Sequence, residues 1–233
     1  ANYVLNAATV NPFPAAISTM NNLTIGANVS LNRAIDANGI LDLGTFTLTQ
    51  ANNNLEFSGL TSGASGKIGT DINSVLSIKG TVGTVGTLRF ASSPAITGEF
   101  NLIRGVTVPL TSDLTIDNGG GKSGSFTTGF DTSVLDIRTN TLTIANVVSG
   151  PGFLGGSDSA NLTLRGTTGT VSFVTGKQIL KNLTLVNSST ATLGTALDIT
   201  GGKAQGNEGT VTVTGTAVLT TGGNLSLKSN ING

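Results

Sequence analysis

The feature that most limits what this chain can fold into is that it resembles itself. With residues 73–115 laid on 159–200, Phe90 meets Phe173, Phe100 meets Leu183, Leu102 meets Leu185, Leu110 meets Leu193 and Ile116 meets Ile199, all at one constant offset. Upstream of Leu88 the offset shifts, pairing Leu76 with Leu162 and Gly80 with Gly166. The change falls in a Gly/Thr run, where a loop absorbs extra residues. A third copy is present in two pieces. Asn22-Leu23-Thr24-Ile25 matches Asn182-Leu183-Thr184-Leu185, and the segment 40–48 matches 134–142. Residues 218–227 repeat the second piece with one residue missing. About three tandem units follow, 1–72 with an atypical start, 73–158 and 159–233, and such a repeat outranks any local motif as a guide to architecture.

Helical periodicity is almost absent. Three to five alternating residues with a Leu or β-branched bias recur roughly every 10–12 positions, bounded by Gly, Asn, Ser or Asp, and these are expected to be short strands. Examples are 23–25, 75–78, 87–90, 114–116, 134–137, 183–186 and 210–213. Tandem immunoglobulin-like sandwiches fit that spacing, and so does a β-solenoid with coils of about 20 residues. Only 4% of residues are aromatic, Trp is absent, and no Pro-rich linker separates the units, so the expected fold is all-β, a right-handed parallel β-helix running as one continuous solenoid. The sandwiches are the alternative. At about 4.8 Å per strand, about eleven coils make a rod about 50 Å long. Asn22, Asn161, Asn182 and Asn224, each just before a strand, are expected to stack as amide ladders at a turn. Residues 11–14 (Asn-Pro-Phe-Pro) are expected to interrupt the first coil. Residues 225–233 stop in mid-pattern, which reads as a segment of a longer array or a subunit stacking end to end.

Twelve Lys and Arg balance twelve Asp and Glu, so no net field draws the chain to nucleic acid or to an anionic membrane. Cys and His are absent, which removes disulfides, thiolate chemistry and the commonest transition-metal ligands. No apolar run approaches the ~18 residues of a membrane-spanning helix.

The local motifs carry little chemistry. Gly150-Pro151-Gly152-Phe153-Leu154-Gly155 spells GxGxxG, but no helix pattern follows and no βαβ unit surrounds it. Gly119-Gly120-Gly121-Lys122-Ser123 resembles a phosphate loop, yet the first Gly of that motif would fall on Ile116. Six Asn-x-Ser/Thr sequons occur, at Asn22, Asn28, Asn161, Asn182, Asn187 and Asn224, four of them the repeat's own turn residue. Asp42 and Asp136 hold matching positions that alternation points to solvent, with Thr220 in the third unit, while Asp113 and Asp198 do not align. A β-helix glycan lyase or hydrolase needs clustered acids and bases, which here are scattered singly. No catalytic, cofactor-binding or metal-ligating residue is assigned, and no cofactor and no enzymatic activity are expected. Thr210-Val211-Thr212-Val213-Thr214 and Thr45-Phe46-Thr47-Leu48-Thr49 alternate Thr as some ice-binding solenoids do, which keeps ice binding as a further alternative.

The motifs Gly-Thr-Val/Leu-x-Phe, Ile-Leu-Lys-Asn-Leu-Thr-Leu (179–185), Ala-Thr-Leu-Gly-Thr-Ala-Leu-Asp-Ile (191–199) and Leu-Asp-Leu-Gly-Thr-Phe-Thr-Leu (41–48) together resemble the long repeats of giant cell-surface adhesins from gliding, type IX-secreting bacteria. The resemblance covers about residues 20–230 and transfers no catalytic residue. It implies an exported, extracellular structural and adhesive module, a stiff spacer with a low-charge contact surface serving adhesion or gliding motility. The C-terminal sorting domain of a complete member is not in the sequence. Expected partners are polysaccharide or a solid substratum, and neighbouring repeats or copies stacked end to end. Nucleic-acid binding and membrane insertion are not expected.

Overall fold

The computed structural model describes residues 1–6, 13–14, 17–63, 65–80, 83–119, 121–200 and 208–228. Asn11 and Pro12 of the expected first-coil interruption, Gly120 of the phosphate-loop look-alike and residues 229–233 of the final pattern lie outside them. The described residues form short strands and no helix. Every paired strand among them runs parallel to its neighbour. Paired strands are separated along the chain by steps of similar length, with Thr19 to Asp36 among the shorter and Leu114 to Leu142 among the longer. This overturns the sandwich alternative, whose hairpins and Greek keys require antiparallel pairs. Several parallel sheets with no helix place the chain in a β-helix-like class.

Three families of ladders carry the chain. The first holds Thr19–Met20, the start of Ile35–Asp42, the start of Leu55–Thr61, then Val75–Ile78, Glu99–Leu102, Ser125–Thr128 and Val148–Ser149. The strands Thr167–Val171, Thr190–Leu193 and Val218–Thr221 form a separate three-stranded sheet. The second family holds Gly83–Thr84, Val106–Pro109, Val134–Asp136 and Phe153–Gly155, with Ile179–Leu180, Leu197–Thr200 and Leu225–Lys228 in a further sheet. The third is a six-stranded sheet of Ala95–Thr97, Leu114–Ile116, Thr141–Ile144, Asn161–Leu164, Asn182–Leu185 and Thr210–Val213. Near the N-terminus Tyr3–Leu5 and Leu23–Ile25 pair on to the end of Ile35–Asp42, and Val29–Ser30, Thr47–Thr49 and Lys67–Gly69 form a smaller sheet. Ladders cross both expected repeat boundaries: Leu55 pairs with Leu76, and Leu142 with Leu162.

Strand residues alternate between the two sides of a sheet, so each Leu-x-Leu triplet sends two side chains inward and one outward. Parallel register then stacks like on like. Leu55, Leu76, Phe100 and Phe126 form one inward column. Leu114, Leu142, Leu162 and Leu183 form another, with Ile116, Ile144, Leu164 and Leu185 beside it. All twelve are at most 1% exposed and belong to one contiguous core that runs from Leu5 to Ile199. At roughly 1.5–3 kcal/mol per buried large side chain, these columns are the main favourable term opposing chain entropy. The Phe100 and Phe126 rings stack at 6.0 Å with 27° between planes, the column's one aromatic step.

Segments 40–48 and 134–142 match as strand, corner and strand. Each turns at its fifth residue with a left-handed backbone, Gly44 at φ 51° and Arg138 at φ 57°. In the first, Asp42 Oδ1 accepts the Gly44 N–H at 3.0 Å, an Asx-type brace for the turn.

Candidate functional site

Hydrolytic or lyase chemistry would need converging carboxylates; among the described acids Asp36, Glu56, Asp136 and Asp198 are engaged by cations, the first two by one lysine. Lys79 Nζ lies 2.6 Å from Asp36 Oδ1, 2.8 Å from Glu56 Oε1 and 2.7 Å from Asn38 Oδ1. Parallel register makes this possible, since Asp36, Glu56 and Ser77 are ladder partners and a lysine two residues beyond Ser77 reaches back over both acids. Burial opposes the charge on Lys79, but its hydrogen bonds to Asp36 and Glu56, with their negative charge, outweigh that and raise the ammonium pKa above its usual 10.5. A shallow groove of about 310 Å³ lies alongside, lined by Ser18, Thr19, Ala34, Ile35, Asp36, Asn54 and Glu56. Its two carboxylates are the ones that Lys79 holds.

Asp136 departs from expectation. Alternation predicts that it faces solvent, yet it is 6% exposed. Lys177 lies over it with Nζ 2.6 Å from Oδ2, and Arg138 Nε stands 3.9 Å from the same oxygen. Asp42 is half-buried in its turn. Asp198 pairs with Lys228 at 2.6 Å, and Asp113 Oδ1 accepts the Thr141 N–H at 2.7 Å. Among the described residues no three Asp, Glu, His or Cys side chains converge as metal ligands.

GxGxxG turns out to be a turn between ladders. Gly150 has φ 91°, and a Cβ there would overlap the Thr128 carbonyl oxygen. The Gly152 N–H donates to Thr128 Oγ1 at 2.7 Å, and Phe153–Gly155 is a strand. The sequon amides serve the ladders. Asn22 Oδ1 accepts the Ile40 N–H at 2.8 Å and Asn28 Oδ1 the Thr47 N–H at 2.9 Å. Asn182 Nδ2 donates to Asn161 Oδ1 at 2.8 Å, while Asn182 Oδ1 accepts from Thr210 N–H at 3.0 Å and Thr210 Oγ1 at 2.8 Å. Asn187 and Asn224 engage through their backbone: the Asn187 N–H donates to Thr214 Oγ1 at 3.1 Å, and the Asn224 carbonyl accepts the Leu197 N–H at 2.8 Å. A second amide step joins Asn73 Nδ2 to Asn52 Oδ1 at 2.8 Å, at a turn the repeat alignment does not single out.

The most regular outward surface is the six-stranded sheet. Ladder register places Thr115, Thr143, Thr163, Thr184 and Thr212 in one row, which the exposed Ile96 of the sixth strand extends. A second row, two residues earlier, runs Thr141, Asn161, Asn182 and Thr210. Strands pair about 4.8 Å apart and residues two apart along a strand are about 6.6 Å apart, so these side chains form a rectangular net of polar groups. The second row is hydrogen-bonded internally through Asn161, Asn182 and Thr210. The five threonines of the first row make no side-chain hydrogen bond within the described residues, and Thr143 among them is buried at 8% exposure, so the open part of the row is Thr115, Thr163, Thr184 and Thr212. The Thr alternation read from the sequence divides here: Thr210 and Thr212 belong to the net, whereas Thr47 and Thr49 lie in the smaller N-terminal sheet. Thr115, Thr143, Thr163 and Thr184 were not foreseen. Their signal was the recurring Leu-Thr-Ile/Leu triplet, whose uneven spacing along the chain hid the alignment.

Comparison of the chain with protein-family models, with curated proteins and with solved structures returned no match.

Proposed function

We propose that the chain is a structural and adhesive module of an extracellular bacterial surface protein or filament, folded as a right-handed parallel β-solenoid of about three tandem long repeats. It acts as a stiff spacer and presents a low-charge contact surface to polysaccharide or a solid substratum in adhesion or gliding. Right-handed winding is the general rule for parallel crossovers. The observation that carries the reading is the run of exclusively parallel ladders around one contiguous aliphatic core, in which load on one strand passes to its neighbours through many backbone hydrogen bonds. Charge is placed in keeping with it, since Asp36 and Glu56 are held by Lys79, Asp136 by Lys177 and Asp198 by Lys228. Val213, Val218 and Leu227 expose apolar surface on the last described strands, the kind of surface a neighbouring repeat or a stacked copy covers.

The test is retention under flow. Beads carrying the folded chain should hold to polysaccharide-coated or bare solid surfaces longer than beads carrying a neutral globular protein of similar size. Equal retention sinks the adhesive reading. Release of reducing ends from a glycan panel would replace it with a carbohydrate-active enzyme on the same scaffold.

A further inference from the structure

We propose that the outward net of Thr115, Thr163, Thr184 and Thr212 with Thr141, Asn161, Asn182 and Thr210 is an ice-binding face. The inference stands independently of the spacer role, because it rests on one sheet's surface and not on how the chain is tethered.

Three properties of the net select its occupant. The first is periodicity in two directions. Spacings of about 4.8 Å across the strands and about 6.6 Å along them approach the oxygen repeats of the prism face of hexagonal ice, over a height of about 19 Å from Thr115 to Thr212. The second is rigidity. Thr is β-branched and held to few rotamers, and Asn161 and Asn182 are tied to each other and to Thr210, so little side-chain freedom remains to be lost on binding. The third is the state of the hydroxyls. Those of Thr115, Thr163, Thr184 and Thr212 have no partner among the described residues and stand at least partly open to water, while Thr143, at 8% exposure, is covered and leaves a gap in the row. Among the described residues no protein group completes the open hydroxyls, so water does, and water so held follows the net's spacing.

Ring content weighs against the obvious competitor, a crystalline polysaccharide. No residue of the strands Leu114–Ile116, Thr141–Ile144, Asn161–Leu164, Asn182–Leu185 and Thr210–Val213 is charged, while the other two ladder families carry the ion pairs. An ionic face would orient water against the tetrahedral lattice. The same strands hold no aromatic side chain, the platform on which sugar rings usually stack. A crystalline polysaccharide therefore fits less well than ice.

Thermal hysteresis of the purified chain, read by ice-crystal growth between the melting and freezing points, tests the assignment. The native chain should arrest growth. Thr163→Tyr and Thr184→Tyr, which break the net's flatness without entering the core, should lose that arrest. Thr170→Tyr, at an exposed position in the sheet of Thr167–Val171, should keep it. Circular dichroism of each variant checks that strand content is retained. A folded native chain without hysteresis at millimolar concentration overturns the proposal. So does equal loss in all three variants, and so does tight retention on crystalline cellulose or chitin without hysteresis, which would assign the net to a polysaccharide.

Discussion

Lys177 Nζ lies 2.6 Å from Asp136 Oδ2 although a whole strand, Phe153–Gly155, separates their ladder positions. Gly155 sits between them. A Cβ there would stand 3.1 Å from Lys177 Cδ and 3.3 Å from Asp136 Oδ1, so the missing side chain is what lets the lysine stem cross. The Asp136 side chain is 9% exposed and the Asp198 side chain, paired with Lys228, is 37% exposed. The two ion pairs should therefore differ in weight. Lys177→Met should destabilise the chain by about 1–3 kcal/mol, because it strands a covered carboxylate with only Arg138 nearby. Lys228→Met should cost about 1 kcal/mol or less, as exposed pairs do. Urea unfolding midpoints of the two variants measure the difference, and equal midpoints would contradict the packing at Gly155.

Lys79 sets a pH dependence whose sign is fixed. Its pKa in the folded chain lies above the ordinary 10.5: burial works against the charge, and Asp36 and Glu56 outweigh it. The stability it contributes is fully present below the unfolded value near 10.5 and is lost as pH rises through the higher folded value. Comparing the native chain with Lys79→Met across that range should show the native excess stability shrinking as pH rises. An excess that grows with pH would exclude the triad.

Two glycines with similar backbone angles should respond differently to a methyl group. Gly176 (φ 83°) has open space where a Cβ would go, so Gly176→Ala should cost only the left-handed conformation, about 1–2 kcal/mol. At Gly150 (φ 91°) the Cβ would run into the Thr128 carbonyl, and the backbone of two neighbouring turns has to part. Gly150→Ala should cost about 3 kcal/mol or more. Thermal melts of the pair provide the comparison.

The Asn161–Asn182–Thr210 ladder should be measurable at one amide. Asn182→Ala removes the acceptor of the Thr210 N–H and Oγ1, leaving the backbone bond to the Lys181 carbonyl at 3.2 Å. The expected cost is about 1–2 kcal/mol, with faster hydrogen exchange at Thr210 than in the native chain.

Strands carrying two aliphatic residues at alternate positions were legible in the sequence. Val75–Ile78, Leu114–Ile116 and Thr210–Val213 lie where their alternation placed them. Several strands with a single inward aliphatic or aromatic were not, among them Lys67–Gly69 (Ile68), Ser125–Thr128 (Phe126) and Ile179–Leu180. In those the neighbouring ladder supplies the order that the segment's own residues lack. Conversely 87–90 alternates like a strand but forms only isolated bridges, Phe90 to Ile68 and Leu88 to Leu110.

The constant offset between the two longest repeats was legible as repetition but not as placement. It carries Phe100, in the first ladder family, onto Leu183, in the six-stranded sheet. Every ladder asks for the same inward aliphatic and outward polar alternation, so similarity between two strands does not say that they share a face. The same ambiguity left parallel and antiparallel architectures open, because a half-exposed strand of either kind alternates. It also hid the threonine net, which exists only once register sets Leu-Thr-Ile/Leu triplets from distant segments side by side.

The direction of strand pairing is the relation on which the fold and both proposed surfaces depend, and backbone nuclear Overhauser contacts between Leu142, Leu162 and Leu183 report it directly. These residues stand at equal register on successive strands and should show the amide-to-α-proton contacts of parallel neighbours. Close α-proton pairs between consecutive strands joined by short turns would mean antiparallel hairpins, and would contradict the fold and the two surfaces built on it.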